Sequence, residues 1–179
     1  MTRMHYLAYG SNLHPSRLAE RVPSARLVGT VRLAGCRLMF HKRGGDLSGK
    51  CNIYRTANTD DHVHGALYEM AAAHKSDLDR FEGVSCGYRH LPMQLICMGR
   101  SYSCFTYIAE STHIDDDLRP YHWYKALVVL GAEYLGLPGG YIAGLHAVDA
   151  LEDPDRERRA EHEALIARMQ SRRMSPVST

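Results

Sequence analysis

The sequence predicts an α+β fold, a curved or barrel-like sheet with helices packed around it. Three observations carry this. Seven short stretches rich in β-branched and aromatic residues are separated by turns carrying Gly, Asn or Asp. These stretches cluster, with the helix former-rich segment 72–81 interrupting them. The last third of the chain then reads as helical.

Taken in order, His5 to Tyr9 is a short buried strand that breaks at Gly10 into the polar turn Gly10-Ser11-Asn12. Pro15 brings no N–H that needs a partner and opens a helix with Leu18 and Val22 on one face, stopped by Pro23. Strands follow at 26–33 and 36–41, meeting near Gly35, then at 51–55 and 63–70. The helix over 72–81 ends at Gly83. Strands at 88–98 and 101–108 flank a Gly99-Arg100 turn that suits a hairpin. Residues 120–135 form the longest expected helix, closed by Gly136, and 139–151 a shorter helical piece. A charged helix opens at Asp153 or Pro154 and runs to about residue 169.

The composition bounds the function. A chain of 179 residues is one domain's worth, and a net charge of +2 with scattered basic residues gives no nucleic-acid footprint. The basic cluster Arg156, Arg158 and Arg159 lies among acids and reads as solvated surface. Five cysteines without a C-x-x-C spacing imply reduced thiols in a reducing compartment. With no apolar signal core and no long apolar run, the expected location is cytoplasmic, without a membrane partner.

Glu82 stands out by position. A carboxylate at a helix C-terminus meets the negative end of the macrodipole, and burial beside Phe81 and Val84 adds to the push on its pKa. Both raise it toward the range of a general base. Eleven tyrosines against three phenylalanines supply hydroxyls, most of them core aromatics and a few candidates for a polar pocket. His62 and His64 share a strand face, but no third ligand is placed by motif, so no metal site is expected. Ser11 lacks the Gly-x-Ser-x-Gly setting of a nucleophile, and turn and capping chemistry suits it better.

Ala8-Tyr9-Gly10-Ser11-Asn12-Leu13 and, about seventy residues later, Leu78-Asp79-Arg80-Phe81-Glu82-Gly83-Val84 together resemble the gamma-glutamylcyclotransferase-like family. Supporting matches are Cys104-Phe105-Thr106-Tyr107, Pro120-Tyr121-His122-Trp123-Tyr124-Lys125 and Gly136-Leu137-Pro138. The resemblance spans residues 4–150, giving a domain at 1–152 and a charged helix and tail at 153–179. It implies a small mixed β-barrel with flanking helices and an enzyme that cyclises a gamma-glutamyl group to 5-oxoproline. It further implies Glu82 as proton acceptor and Tyr6, Leu7, Ala8, Tyr9, Gly10, Ser11 and Asn12 as the substrate-holding strand and turn. Tyr107 and Tyr124 match two pocket tyrosines. A further family tyrosine, seven residues after the Glu, falls on Arg89, so its neighbour Tyr88 is the candidate. The implied partner is a small gamma-glutamyl compound, with no cofactor, metal or covalent nucleophile. Loops 42–49 and 110–118 are expected to choose the leaving amine, and the last helix either packs on the domain or mediates a homodimer.

Overall fold

Both faces of the first strand are covered, and the rest of the chain is arranged to cover them. The computed structural model describes residues 2–84 and 86–173. In chain order the elements are β1 (Arg3–Ala8), α1 (Pro15–Arg21), β2 (Arg26–Ala34), β3 (Cys36–Arg43), β4 (Gly49–Arg55), β5 (His62–Ala71), α2 (Lys75–Glu82), β6 (Tyr88–Cys97), β7 (Arg100–Ala109), α3 (His122–Tyr134), α4 (Gly139–His146) and α5 (Arg156–Arg173). Five strands form one mixed sheet in the order β2-β5-β1-β7-β6, with β1 antiparallel to β5 and parallel to β7. β3 and β4 form a separate hairpin.

The sheet curls until its two edge strands meet. Cys97 on β6 points its thiol at the Thr30 carbonyl on β2, 3.8 Å away. Inside the curl, Leu7, Val31, Leu67, Leu95, Cys97 and Cys104 form a small apolar cluster. On the outer face Tyr6, Ala8, Ala66 and Tyr68 pack into the larger core with Leu127, Val128 and Ala132 of α3. The period-2 alternation of β1 therefore sends Leu7 one way and Tyr6 and Ala8 the other, and all three are buried. The result is an α+β half-barrel with flanking helices. No helix among the described residues is long and apolar enough to cross a membrane.

Several boundaries differ from the sequence expectation. The helix expected from 120 starts at His122, because Pro120 and Tyr121 are drawn into extended pairing with Leu151: His122 N–H donates to the Leu151 carbonyl and Leu151 N–H to the Pro120 carbonyl, both at 2.9 Å. The same pairing stops α4 at His146 rather than 151. The helical segment after β5 begins with a 3-10 turn at Ala72–His74 and then runs through Glu82. α5 begins at Arg156, where the Asp155 carboxylate accepts the N–H groups of Glu157 and Arg158 at 3.1 and 3.0 Å. Its Leu165 and Met169 are buried against the core, and it packs along α3 of its own chain. Residues 174–179 of the expected tail lie outside the described residues.

Candidate active site

The turn after β1 is pinned from three sides. Leu13 N–H donates to the Gly10 carbonyl at 3.0 Å and closes it, without using the N–H groups of Ser11 and Asn12. From β5, Tyr68 donates its hydroxyl to the Leu13 carbonyl at 2.7 Å. Behind it, α3 approaches so closely at Gly131 that a Cβ there would lie 2.5 Å from Leu13 Cβ and 2.9 Å from the His14 nitrogen. Only glycine permits that approach. Tyr9 reaches across to β7 and donates to the Tyr107 carbonyl at 2.6 Å.

α2 brings Glu82 to this turn. Gly83 adopts the left-handed conformation (φ 67°, ψ 47°), its N–H turns back to Arg80 O and that of Val84 to Asp79 O, a Schellman ending. Glu82 is thus the last helical residue. The helix is anchored one turn earlier by Asp79, which accepts hydrogen bonds from Lys75 Nζ (2.7 Å), Tyr107 OH (2.6 Å) and His90 Nε2 (2.7 Å). Burial raises the Asp79 pKa, but the bonds from Lys75, Tyr107 and His90 outweigh it and hold the carboxyl below its usual value.

Two side chains clamp Glu82 to the turn. Asn12 Nδ2 donates to Glu82 Oε1 at 2.7 Å, and Arg21 Nη1 donates to the same oxygen at 3.1 Å. Arg21 also donates to Asn12 Oδ1 at 3.0 Å, while Asn12 Nδ2 lies 3.3 Å from Tyr6 OH. Both ends of the ion pair are largely shielded, at 16% and 17% side-chain exposure. Both partners are donors, so the carboxylate is held as a hydrogen-bond acceptor. Glu82 Oε2 makes no hydrogen bond among the described residues. The shielding comes from the turn and α1; Phe81 itself is exposed, with the Arg21 guanidinium over its ring.

The arrangement encloses a small recess of about 20 Å³, lined by Tyr6, Tyr9, Gly10 to Asn12, Cys51, Glu82, Tyr88, Tyr107 and Tyr124. Glu82 is its single carboxylate among the described residues. Ser11, Glu82, Tyr88 and Tyr124 are shared with a wider basin of about 400 Å³, large enough for an amino-acid-sized ligand. Leu7 and Ala8 line neither space; the Leu7 side chain lies on the opposite face of the sheet and its carbonyl is taken by Thr106 Oγ1 at 2.8 Å. Tyr88 lines both, donating its hydroxyl to the Cys51 carbonyl at 2.5 Å, whereas Arg89 is exposed.

Burial keeps the other titratable groups of the recess neutral. It raises the phenols of Tyr6, Tyr9, Tyr88, Tyr107 and Tyr124 above their ordinary value and pushes the Cys51 thiol up to about 12. Tyr9, Tyr88 and Tyr107 donate hydrogen bonds, whereas the Tyr6 and Tyr124 hydroxyls accept them from Asn12 Nδ2 and the Cys51 N–H; at neutral pH none of the six groups is a base or a thiolate. Ser11 has no His or carboxylate hydrogen-bonded to its hydroxyl among the described residues. His62 and His64 meet edge-on at 5.0 Å, His64 packs on Tyr141 at 4.8 Å, and no group of three metal-ligating side chains occurs among the described residues.

Sequence reasoning missed the basic wall of the basin. Arg17 and Arg21 are four apart on α1, so a helical wheel would have placed them on one face beside the turn. Arg158, expected as solvated surface, donates to the fully buried Asp153 at 2.7 Å, which also accepts from Trp123 Nε1 at 2.8 Å, and it borders the basin. Of the two loops expected at the rim, 42–49 supplies Lys42, Gly44, Gly45 and Asp46, while 110–118 supplies no lining residue.

Known proteins share this fold and much of this sequence. The model of the AIG2-like family matches residues 62–145, a span that holds Glu82, Tyr88, Tyr107 and Tyr124. The gamma-glutamylcyclotransferase of Bos taurus is 30% identical over 152 residues, covering 80% of this chain and 78% of that protein. That of Homo sapiens is 30% identical over 151 residues with the same coverage. A solved gamma-glutamyl cyclotransferase structure superposes with a TM-score of 0.81 at 26% identity, covering 93% of this chain and 99% of the other. With 30% identity to these relatives over 80% of its length, the chain belongs to the gamma-glutamylcyclotransferase family.

Proposed function

We propose that the protein is a gamma-glutamylcyclotransferase whose general base is Glu82. The observation that carries this is the clamp: among the described residues, the one carboxylate of the recess is fixed by Asn12 to a turn with uncommitted N–H groups, and it also borders a basin of substrate size. A gamma-glutamyl substrate holds an α-ammonium, an α-carboxylate and a γ-amide in one chain. Bending it brings the amine onto the γ-carbonyl and gains the advantage of an intramolecular reaction.

Glu82 accepts a proton from the ammonium, and the freed amine attacks the γ-carbonyl carbon. The N–C bond forms and the carbonyl electrons move onto oxygen. The N–H groups of Ser11 and Asn12, with the hydroxyls of Tyr6 and Tyr124, whose protons go to no described residue, are the donors available to that oxyanion or to the α-carboxylate. Collapse breaks the original amide bond. Two protons leave the attacking nitrogen and two arrive at the departing one, and a single carboxylate relays them in turn. The products are 5-oxoproline and the free amine. Cys51, protonated and buried, has no part as a nucleophile.

The test is mass spectrometry of the purified protein incubated with a panel of gamma-glutamyl amides. The expected product is 5-oxoproline together with the released amine. Free glutamate in its place refutes cyclisation and directs attention to water attack at the same carbonyl.

A further inference from the structure

Six Lys and Arg side chains border the basin: Arg17, Arg21, Lys42, Lys50, Arg80 and Arg158. Four have a carboxylate of their own. Arg21 pairs with Glu82, Lys50 with Asp46 at 2.6 Å, Arg80 with Asp77 at 3.3 Å and Arg158 with Asp153. Arg17 and Lys42 have none among the described residues. Arg17 is half-buried on α1, makes no hydrogen bond or ion pair among the described residues, and its Nε is buried without a partner. Lys42, on β3, is 5% exposed; its ammonium reaches the Cys86 carbonyl at 3.2 Å and the Tyr88 ring face at 4.6 Å.

Desolvating a cation without an anion costs stability, so a fold that keeps two such groups on the walls of one basin has them facing a ligand. Substrate chemistry then sets the count. If the turn's N–H groups take the glutamyl α-carboxylate, a leaving amino acid with a neutral side chain brings one further anion for two cations. We infer that the leaving amine carries two anionic groups, its own α-carboxylate and an acidic side chain, held by Arg17 and Lys42. The substrate class is therefore a gamma-glutamyl derivative of an acidic amino acid. This rests on the cyclotransferase reading.

The neighbouring histidine reports the same field. His162 stacks on Trp123 at 3.7 Å on the basin wall, and burial, followed by Arg17 and Lys50, pushes its pKa down to about 4. Arg17, drawn down to about 10 by burial and by Arg21, still carries its charge at neutral pH.

The experiment compares kcat/KM for gamma-glutamylmethylamide, gamma-glutamylalanine, gamma-glutamylglutamate and gamma-glutamyl-O-phosphoserine, following 5-oxoproline. The two leaving groups that carry a second anionic group, glutamate and O-phosphoserine, are expected to exceed alanine by about tenfold or more, the worth of one charge-assisted contact in a shielded site. Rising salt shrinks that margin. The better of the two separates carboxylate from phosphate. Arg17→Met and Lys42→Met each lower the ratio of these two to alanine, and Arg17→Lys, which keeps the charge, retains most of it. Alanine turnover equal to or above both, with 5-oxoproline formed, overturns the inference and leaves the cyclotransferase reading standing. An Arg17→Met loss of the same size on all substrates also overturns it. No 5-oxoproline from any of the four overturns both.

Discussion

Removing the Asp79 carboxylate unfastens the helix that carries Glu82. In Asp79→Ala, the Lys75 and His90 partners, about a third exposed, regain water. The Tyr107 hydroxyl does not, because Tyr107 is 1% exposed. An unsatisfied buried hydroxyl costs about 1–3 kcal/mol, and the lost charge-assisted bonds to half-shielded groups add about 1 more. The expected destabilisation is about 2–4 kcal/mol, or a Tm lower by about 5–15 °C for a chain of this size. Tyr107→Phe alone removes the stranded donor and costs about 1 kcal/mol. The double variant therefore falls short of the sum by about 1–2 kcal/mol. pH gives a further check. The folded Asp79 carboxyl titrates below its usual value, so its contribution is present above the unfolded value of about 3.9 and is lost as pH falls toward the folded one. The gap between wild type and Asp79→Ala narrows below about pH 4. Because Glu82 sits one turn further on, kcat/KM falls by roughly tenfold to hundredfold even in the folded fraction, as expected for misplacement by an ångström. Denaturant melts of the four proteins, with activity at a temperature where all are folded, measure this. A loss under 1 kcal/mol, or strict additivity with Tyr107→Phe, refutes Asp79 as the anchor.

Three further outcomes follow from the packing. Arg158→Met leaves the fully buried Asp153 carboxylate with only the Trp123 N–H and the Asp155 backbone, and costs about 3 kcal/mol by chemical denaturation. Arg158 first, then the Trp123 bond, hold Asp153 far below the usual carboxylate range against the pull of burial, so its contribution is present above about pH 4 and is lost as pH falls toward the folded value. Gly131→Ala sets a Cβ against Leu13 and the His14 nitrogen and costs about 1–3 kcal/mol, with a fall in kcat/KM at a temperature where the variant remains folded, since the displaced element is the turn. His162, pushed down to about 4, binds its proton more readily in the unfolded chain, so stability declines as pH falls from about 6.5 toward 4; His162→Gln flattens that slope in a pH series of thermal melts.

Local signals made much of this fold readable. Gly10-Ser11-Asn12 ends β1 because the chain needs a tight turn there, and Gly83 ends α2 because only glycine takes φ 67° without strain. Those two features, each local, mark a polar turn and put Glu82 at a helix end; what joined them in the sequence was the family resemblance. What escaped the sequence was set by contacts distant along the chain. Leu7 sits between two site-facing neighbours, and its own side chain is sent into the half-barrel by strand alternation, so a contiguous motif overstates the lining. The Arg21 clamp joins α1 to α2 across sixty-one positions, and no periodicity encodes it. Arg158 reads as surface by composition; the buried Asp153 and the Trp123 ring over which α5 returns make it a wall of the basin. The early end of α4 has the same origin, a backbone pairing between Tyr121 and Leu151 that outcompetes local helix propensity.

The most direct measurement is 5-oxoproline formation by Glu82→Gln beside wild type, on a gamma-glutamyl amide that the wild type turns over. Glutamine keeps an oxygen for Asn12 and Arg21 to donate to, so the melting curve is expected to stay close to wild type while the proton acceptor is gone. The account predicts a fall in kcat of about 10²–10⁴, the usual share of a positioned general base. A folded Glu82→Gln protein that still forms 5-oxoproline within tenfold of the wild-type rate contradicts it.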